Sequence, residues 1–236
     1  MALPQVSLPT YELEVPSTGK KIKYRPFVVK EEKILLLALE SGDDKQIEDA
    51  VRTLLKNCIQ SRVKLEDLAI FDLEYIFLNI RAVSVGEVVE MLLTCEDDGE
   101  TQIRYNLNLT EVQVSKPEGH DSKIMLSDTM GVIMKYPSFE EFVKVSIIGK
   151  DTSSEVIDIM ARCVDQIFDN EDVYDSSTTS KKEFVQFIEG LTNKQFEDVQ
   201  SFFSEMPQLK HEIKLKNPNT GVDNEFVIQG LTNFFG

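Results

Sequence analysis

Along this chain the spacing of apolar residues changes period several times, and each change marks an element. At 11–15 (YELEV) apolar and acidic positions alternate, 16–19 (PSTG) makes a turn, and alternation resumes over 20–25, so a β-hairpin opens the fold. Pro26 stops the second strand. Residues 34–39 (ILLLAL) are apolar on every side, which predicts a helix covered all round by other elements. Glu31 and Glu32 fall in its first turn, where carboxylates offset the positive end of the helix dipole, and Gly42 supplies a stop. The stretch 21–44 therefore reads as the centre of the plan. Asp43 with Gln46 suits the cap of a second helix, over 44–59, with Ile47, Ala50, Val51, Leu54, Leu55, Cys58 and Ile59 in one stripe. A third helix, about 72–83 by its periodicity, turns Leu73, Ile76, Phe77 and Ile80 inward. An apolar strand at 88–94, a turn at 95–99 and a strand alternating through Ile103, Tyr105, Leu107 and Leu109 follow.

The polar stretch 115–122 (SKPEGHDS) marks a boundary. It divides the chain into an N-terminal tail (1–10), a first half (11–115), a linker (116–122) and a second half (123–236). The second half opens with a hairpin, 123–126 with 132–136. Pro137 stops it, and Ser138 with Glu141 begins a helix. An amphipathic helix is expected over 154–168, through Val156, Ile159, Met160, Cys163, Val164 and Ile167, then an acidic Ser/Thr-rich loop over 169–180. Two helices with capping boxes, Ser180/Glu183 and Thr192/Gln195, carry Phe184, Phe187, Phe196, Phe202 and Phe203. Core packing is the simpler account of these phenylalanines, an outward contact surface the other. The last hairpin pairs 212–216 with 225–228. The fold class is α+β, helical clusters flanked by antiparallel β-hairpins. The repeated order of hairpin, helices and hairpin suggests two related halves. The matching turns PSTG (16–19) and PNTG (218–221) follow from turn chemistry alone.

Composition narrows the function. Forty-one acidic against 25 basic residues give a net charge of −16, which repels phosphate backbones and argues against direct nucleic-acid binding. Lys210, Lys214 and Lys216 are the nearest basic cluster, spaced as the outer face of a strand. No apolar run approaches the roughly 18 residues of a membrane span, and the first ten residues lack a signal pattern, so an unexported protein without a membrane role is expected. Three cysteines make no disulfide framework, and Cys58 and Cys163 lie on apolar helix faces as buried thiols.

Candidate chemistry is sparse. Cys95 and Asp98, followed by Gly99, and Asn217 and Thr220, followed by Gly221, have the spacing of two zinc-knuckle turns. Tetrahedral zinc wants Cys or His at such places, and an amide and a hydroxyl hold it poorly, so no metal and no cofactor is expected. His120, in the linker, reads as a solvated residue, and His211 has no nucleophile pattern nearby. No nucleophile elbow and no phosphate-binding loop is present, so an enzyme is not expected. The tail 230–236 places Leu231, Phe234 and Phe235 at helical spacing. It either closes over its own core or docks on a partner as an apolar anchor.

Tyr24-Arg25-Pro26-Phe27 with Lys30-Glu31-Glu32-Lys33, running into Ile34-Leu35-Leu36-Leu37-Ala38, resembles the baseplate hub subunit family of T-even-type contractile-tailed bacteriophages. So do Ile80-Arg81-Ala82-Val83-Ser84-Val85-Gly86-Glu87, Met206-Pro207-Gln208-Leu209-Lys210-His211 and Gly230-Leu231-Thr232-Asn233-Phe234-Phe235. Some members keep Cys-x-x-Cys-Gly at the two hairpins. This sequence keeps only Cys95 there, which departs from any zinc site of the family. The resemblance implies a non-catalytic baseplate hub subunit whose partners are other phage tail proteins, met in the host cytoplasm and retained in the tail baseplate. It equally allows a transient assembly chaperone, for instance for the tape-measure protein, and a zinc-dependent protein is the alternative of another class. Nothing in the pattern specifies an oligomeric state.

Overall fold

The computed structural model describes residues 7–138, 153–170 and 172–229. Among these are six helices and eleven strands in small antiparallel sheets, an α+β fold. The chain divides into two compact units, the first drawn from 1–65, 71–115 and 208–236, the second from 66–70 and 116–207. No described helix is long and apolar enough to cross a membrane.

In the first unit, β1 (Tyr11–Glu14) and β2 (Lys21–Tyr24) form the opening hairpin. Helices α1 (Val29–Ser41) and α2 (Asp44–Cys58) follow, joined through Gly42 in the left-handed region. The side chain of Asp43 accepts from the Gln46 amide, as the cap required. Helix α3 (Ile70–Val85) is the covered one: Phe71, Leu73, Ile76, Phe77, Leu78 and Ile80 are all buried. It is tied at both ends by polar bonds to the opening hairpin's neighbourhood. Asp72 accepts from the backbone N–H and hydroxyl of Ser17, and Ser84 accepts from the Phe27 amide.

The expectation that the 34–39 helix is buried all round is wrong. Helix α1 buries only Glu31, Leu35 and Ala38, one edge, and leaves Ile34, Leu36 and Leu37 in solvent. The physical reason lies at its start. Glu31 is buried as an ion pair with Arg25, at 2.7 Å, and also accepts the Val28 amide at 2.8 Å. That fixes which edge of the helix faces inward, and the six-residue apolar run is longer than one edge can cover.

Strands β3 (Val88–Thr94) and β4 (Gln102–Asn108) pair antiparallel, with Val89, Leu93 and Leu107 inward. A short strand, β5 (Gln113–Ser115), pairs with β10 (Gln208–Lys216), which in turn pairs with β11 (Asp223–Gln229). Leu93, Leu107, Val112, Leu209, Ile213 and Ile228 share one core with Leu78 and Ala82 of α3.

The second unit holds a four-stranded sheet in the order β6 (Lys123–Met125), β7 (Met130–Met134), β8 (Val164–Asp169), β9 (Asp172–Asp175). Its helices are α4 (Ser153–Arg162), α5 (Lys181–Glu189) and α6 (Asn193–Ser204). Two expectations fail here. The 154–168 helix ends at Arg162 and continues as β8, and the 169–180 loop contains β9. Val164 and Ile167 fit a helical stripe, yet pairing with β7 on one side and β9 on the other satisfies the backbone of residues 164–169. Both capping boxes are present, and Phe184 and Phe202 are buried with Phe187, Phe196 and Phe203 packed against the same core. The helix expected after Ser138, with Glu141, lies outside the described residues, as does the 230–236 tail.

Gly131 sits in the middle strand opposite Phe168, whose ring covers it. A Cβ there would lie 2.5 Å from the Phe168 ring and 2.6 Å from the Ile124 carbonyl oxygen. Because that oxygen belongs to the neighbouring strand, Gly131→Ala is expected to lower the unfolding free energy by roughly 1–3 kcal/mol in a urea titration. An unchanged midpoint contradicts this packing.

Candidate functional site

The four residues singled out by knuckle spacing lie at the tips of the β3–β4 and β10–β11 hairpins. Both turns close alike. Gly99 donates to the Cys95 carbonyl at 3.0 Å and Gly221 to the Asn217 carbonyl at 2.9 Å, each glycine at positive φ. The β1–β2 turn repeats the device, with Gly19 donating to Val15 at 2.8 Å. The likeness of PSTG to PNTG is therefore a likeness of turns.

The structure brings the two tips together. Asp97 is the hub: its carboxylate accepts from Asn217 Nδ2 at 2.9 Å, Asn224 Nδ2 at 2.9 Å and Thr220 Oγ1 at 2.5 Å. Asn217 also donates to Asp98 at 3.0 Å, while its carbonyl oxygen accepts from the amides of Asn219 and Thr220. Asn224 Oδ1 accepts the Glu96 amide at 2.8 Å, and Asn219 donates to Thr101 Oγ1 at 2.9 Å. Asp98 accepts from the hydroxyl and amide of Thr101, closing its own turn. Asn217 and Asn224 are buried, and each polar atom of their side chains has a partner.

These bonds favour the charged carboxylates. Asp97 is held below the usual carboxylate range, chiefly by Asn217 and then Thr220. Asp98 is held well below it, chiefly by the Thr101 hydroxyl and amide. Cys95, fully buried, has its thiol pushed up by burial first and by Asp97 and Asp98 next. Such a donor set does not suit zinc. The amide nitrogens and hydroxyl already donate protons, the Asn217 oxygen is engaged, and the only sulfur is kept in its thiol form.

Sequence spacing found Cys95, Asp98, Asn217 and Thr220 but missed Asp97 and Asn224. One signal was available. Asn224 occupies an inward register position of β11 together with Ile228, and an amide on an apolar strand face needs a partner.

The remaining candidates disperse. His120 is not a solvated linker residue: it packs against Tyr136 and Phe202, ring centroids 5.7 and 4.9 Å away, and burial lowers its pKa. His211 is paired in register with Ile228 within β10 and β11. The basic cluster is partly neutralised, with Lys210 bonded to Glu212 and Lys214 to Glu225. Leu231, Phe234 and Phe235 lie outside the described residues.

A family described as T4 bacteriophage base plate protein matches the chain over residues 8–236. The chain belongs to that family. No curated protein and no solved structure matches it. The hydrogen-bonded tips are thus a feature of a base plate protein's fold, where a buried polar network fixes one arrangement of strands.

Asn217→Ala removes two charge-assisted bonds and is expected to lower stability by about 2 kcal/mol at neutral pH. The carboxylates it serves have folded pKa values below their unfolded ones. Their bonded contribution is therefore complete above about pH 4 and lost as pH falls below it. The difference between wild type and Asn217→Ala in urea titrations should hold from neutral pH down to about 4.5 and shrink below that. A difference that grows on acidification contradicts the assignment.

Thiol chemistry provides a second check. Cys58 is pushed up to about 11, mainly by burial, and all three thiols are buried. Ellman's reagent should leave the native protein unmodified within minutes and react with all three cysteines in urea. Rapid modification of Cys95 in the native chain counts against the closed tips.

Proposed function

We propose that this base plate protein is a non-catalytic subunit of the baseplate hub, acting by binding neighbouring tail proteins during assembly. The observation that carries the reading is how polar and apolar groups are distributed. Carboxylates that are candidates for chemistry are bonded within the fold, Asp72 to Ser17, Asp97 and Asp98 across the hairpin tips, and Asp175 to Gln166 and Ser177. Large apolar side chains are left outside, among them Leu36, Leu37, Leu92, Val173 and Val227. A surface of that kind serves association.

Among the described residues, strand β9 is an edge of its sheet and exposes Val173 and Tyr174, and β11 is an edge of another with Val227 exposed. Such edges accept an added strand from a partner. The 230–236 tail, with Leu231, Phe234 and Phe235, supplies an apolar anchor in this reading. The charge of −16 keeps free subunits apart in the host cytoplasm until a partner with basic patches is met.

Mass spectrometry of purified virions and of isolated baseplates tests the proposal. The chain should be present in both, in a fixed small-integer ratio to other baseplate proteins. Its absence from virions, with recovery on assembly intermediates alone, overturns the hub reading in favour of a transient chaperone.

A further inference from the structure

Helix α1 presents aliphatic side chains that the rest of the unit does not cover: Ile34, Leu36 and Leu37 are 39%, 52% and 55% exposed. Two of them, Ile34 and Leu37, border an open groove of about 350 Å³ between α1 and α2. Ala38 and Ala50, both buried, also line the groove, and their small side chains leave room between the helices. One charged group lines it, Asp49, which is exposed and has no ion-pair or hydrogen-bond partner among the described residues. Gln46 and Thr53 complete the lining, so the groove is a mainly apolar trough with a single unpaired carboxylate at its side.

We infer that the α1–α2 groove seats an amphipathic helix of another tail protein, its apolar residues between Ile34 and Leu37 and a Lys or Arg on Asp49. Helix-in-groove recognition uses apolar anchors at i, i+3 or i+4, and i+7, and α1 with 13 residues is about 20 Å long, enough for three turns of a partner. Charge selects among occupants. A second copy of this chain brings another −16 to an acidic surface. The chain's own 230–236 tail carries Leu231, Phe234 and Phe235 but no cation, so it leaves Asp49 unpaired. A basic helix from a different protein satisfies both the apolar walls and the carboxylate. The inference rests on the reading that this chain works by binding other tail proteins, and it names the surface and the chemistry of one partner.

The test uses the full chain and synthetic 15-residue peptides tiled across the other tail proteins encoded by the same phage. Binding is measured by fluorescence anisotropy. The bound peptides should share the helical apolar spacing and a Lys or Arg. Leu37→Ser should weaken them at least tenfold and Asp49→Lys by a similar factor. Replacing the peptide's basic residue by Glu should restore binding to Asp49→Lys. Leu37 and Asp49 are exposed, so both variants should keep the wild-type melting temperature, and Val85→Ser, at the exposed end of α3, should bind as wild type does.

Binding that ignores Leu37 and Asp49, or no binding by any tiled peptide, overturns the inference. So does groove-dependent dimerisation in sedimentation, which assigns the groove to a second copy. Binding that appears only after removal of residues 230–236 assigns it to the chain's own tail and likewise overturns it. Virion composition is read separately. A chain present in baseplates whose groove variants incorporate equally well removes the groove and leaves the hub reading, whereas absence from virions removes the hub reading first.

Discussion

Asp97 is the residue on which the first unit depends. Its carboxylate and the amides beside it join the β3–β4 tip to side chains more than a hundred positions later in the chain, Asn217, Thr220 and Asn224. Strands β10 and β11 are brought to this unit by three means, pairing of β10 with β5, the apolar core shared with α3, β3 and β4, and this polar clasp. Backbone pairing alone leaves hairpin tips free to splay, because the bonds of a ladder end where the strands end. The clasp begins where the ladder stops. Its directionality matters as much as its strength: two buried asparagines with every polar atom matched admit one mutual placement of the turns.

That constraint explains why the turns look like knuckles while their donor set does not suit zinc. A tight turn with glycine in the left-handed region presents two side chains on one side, whatever their identity. Place thiolates there and the pair becomes a ligand set. Place a carboxylate on one tip with amides and a hydroxyl on the other, and the same geometry becomes a hydrogen-bond clasp. Cys95 then faces burial and two neighbouring carboxylates, conditions that keep a thiol protonated. The arrangement suits a structural role, in line with its membership of the T4 bacteriophage base plate protein family.

What the sequence revealed was the local part. The Asp43 cap, both capping boxes in α5 and α6, the stripe of α2 and the alternation of β4 depend on residues a few positions apart, and each was legible. What escaped depended on distant partners. Val164 and Ile167 satisfy a helix period and a strand period alike, so only pairing with β7 decides. The apolar run in α1 indicated a buried helix, yet burial was given to α3, whose ends are pinned to Ser17 and Phe27 through Asp72 and Ser84. In the candidate site, spacing pointed to Cys95 and Asp98, while the residue that gathers the bonds is Asp97 between them. Their own turn marks Asn217 and Thr220 and a strand face marks Asn224, but no local pattern pairs them with a carboxylate more than a hundred positions earlier.

The most direct test of the clasp is amide hydrogen exchange at Glu96 and Asp97, measured with and without added zinc. Glu96 N–H donates to Asn224, so it should exchange slowly, only through unfolding of the unit, at a rate indifferent to zinc and to a chelator. Fast exchange that slows only when zinc is supplied would show that a metal, and not this hydrogen-bond network, holds the two tips together.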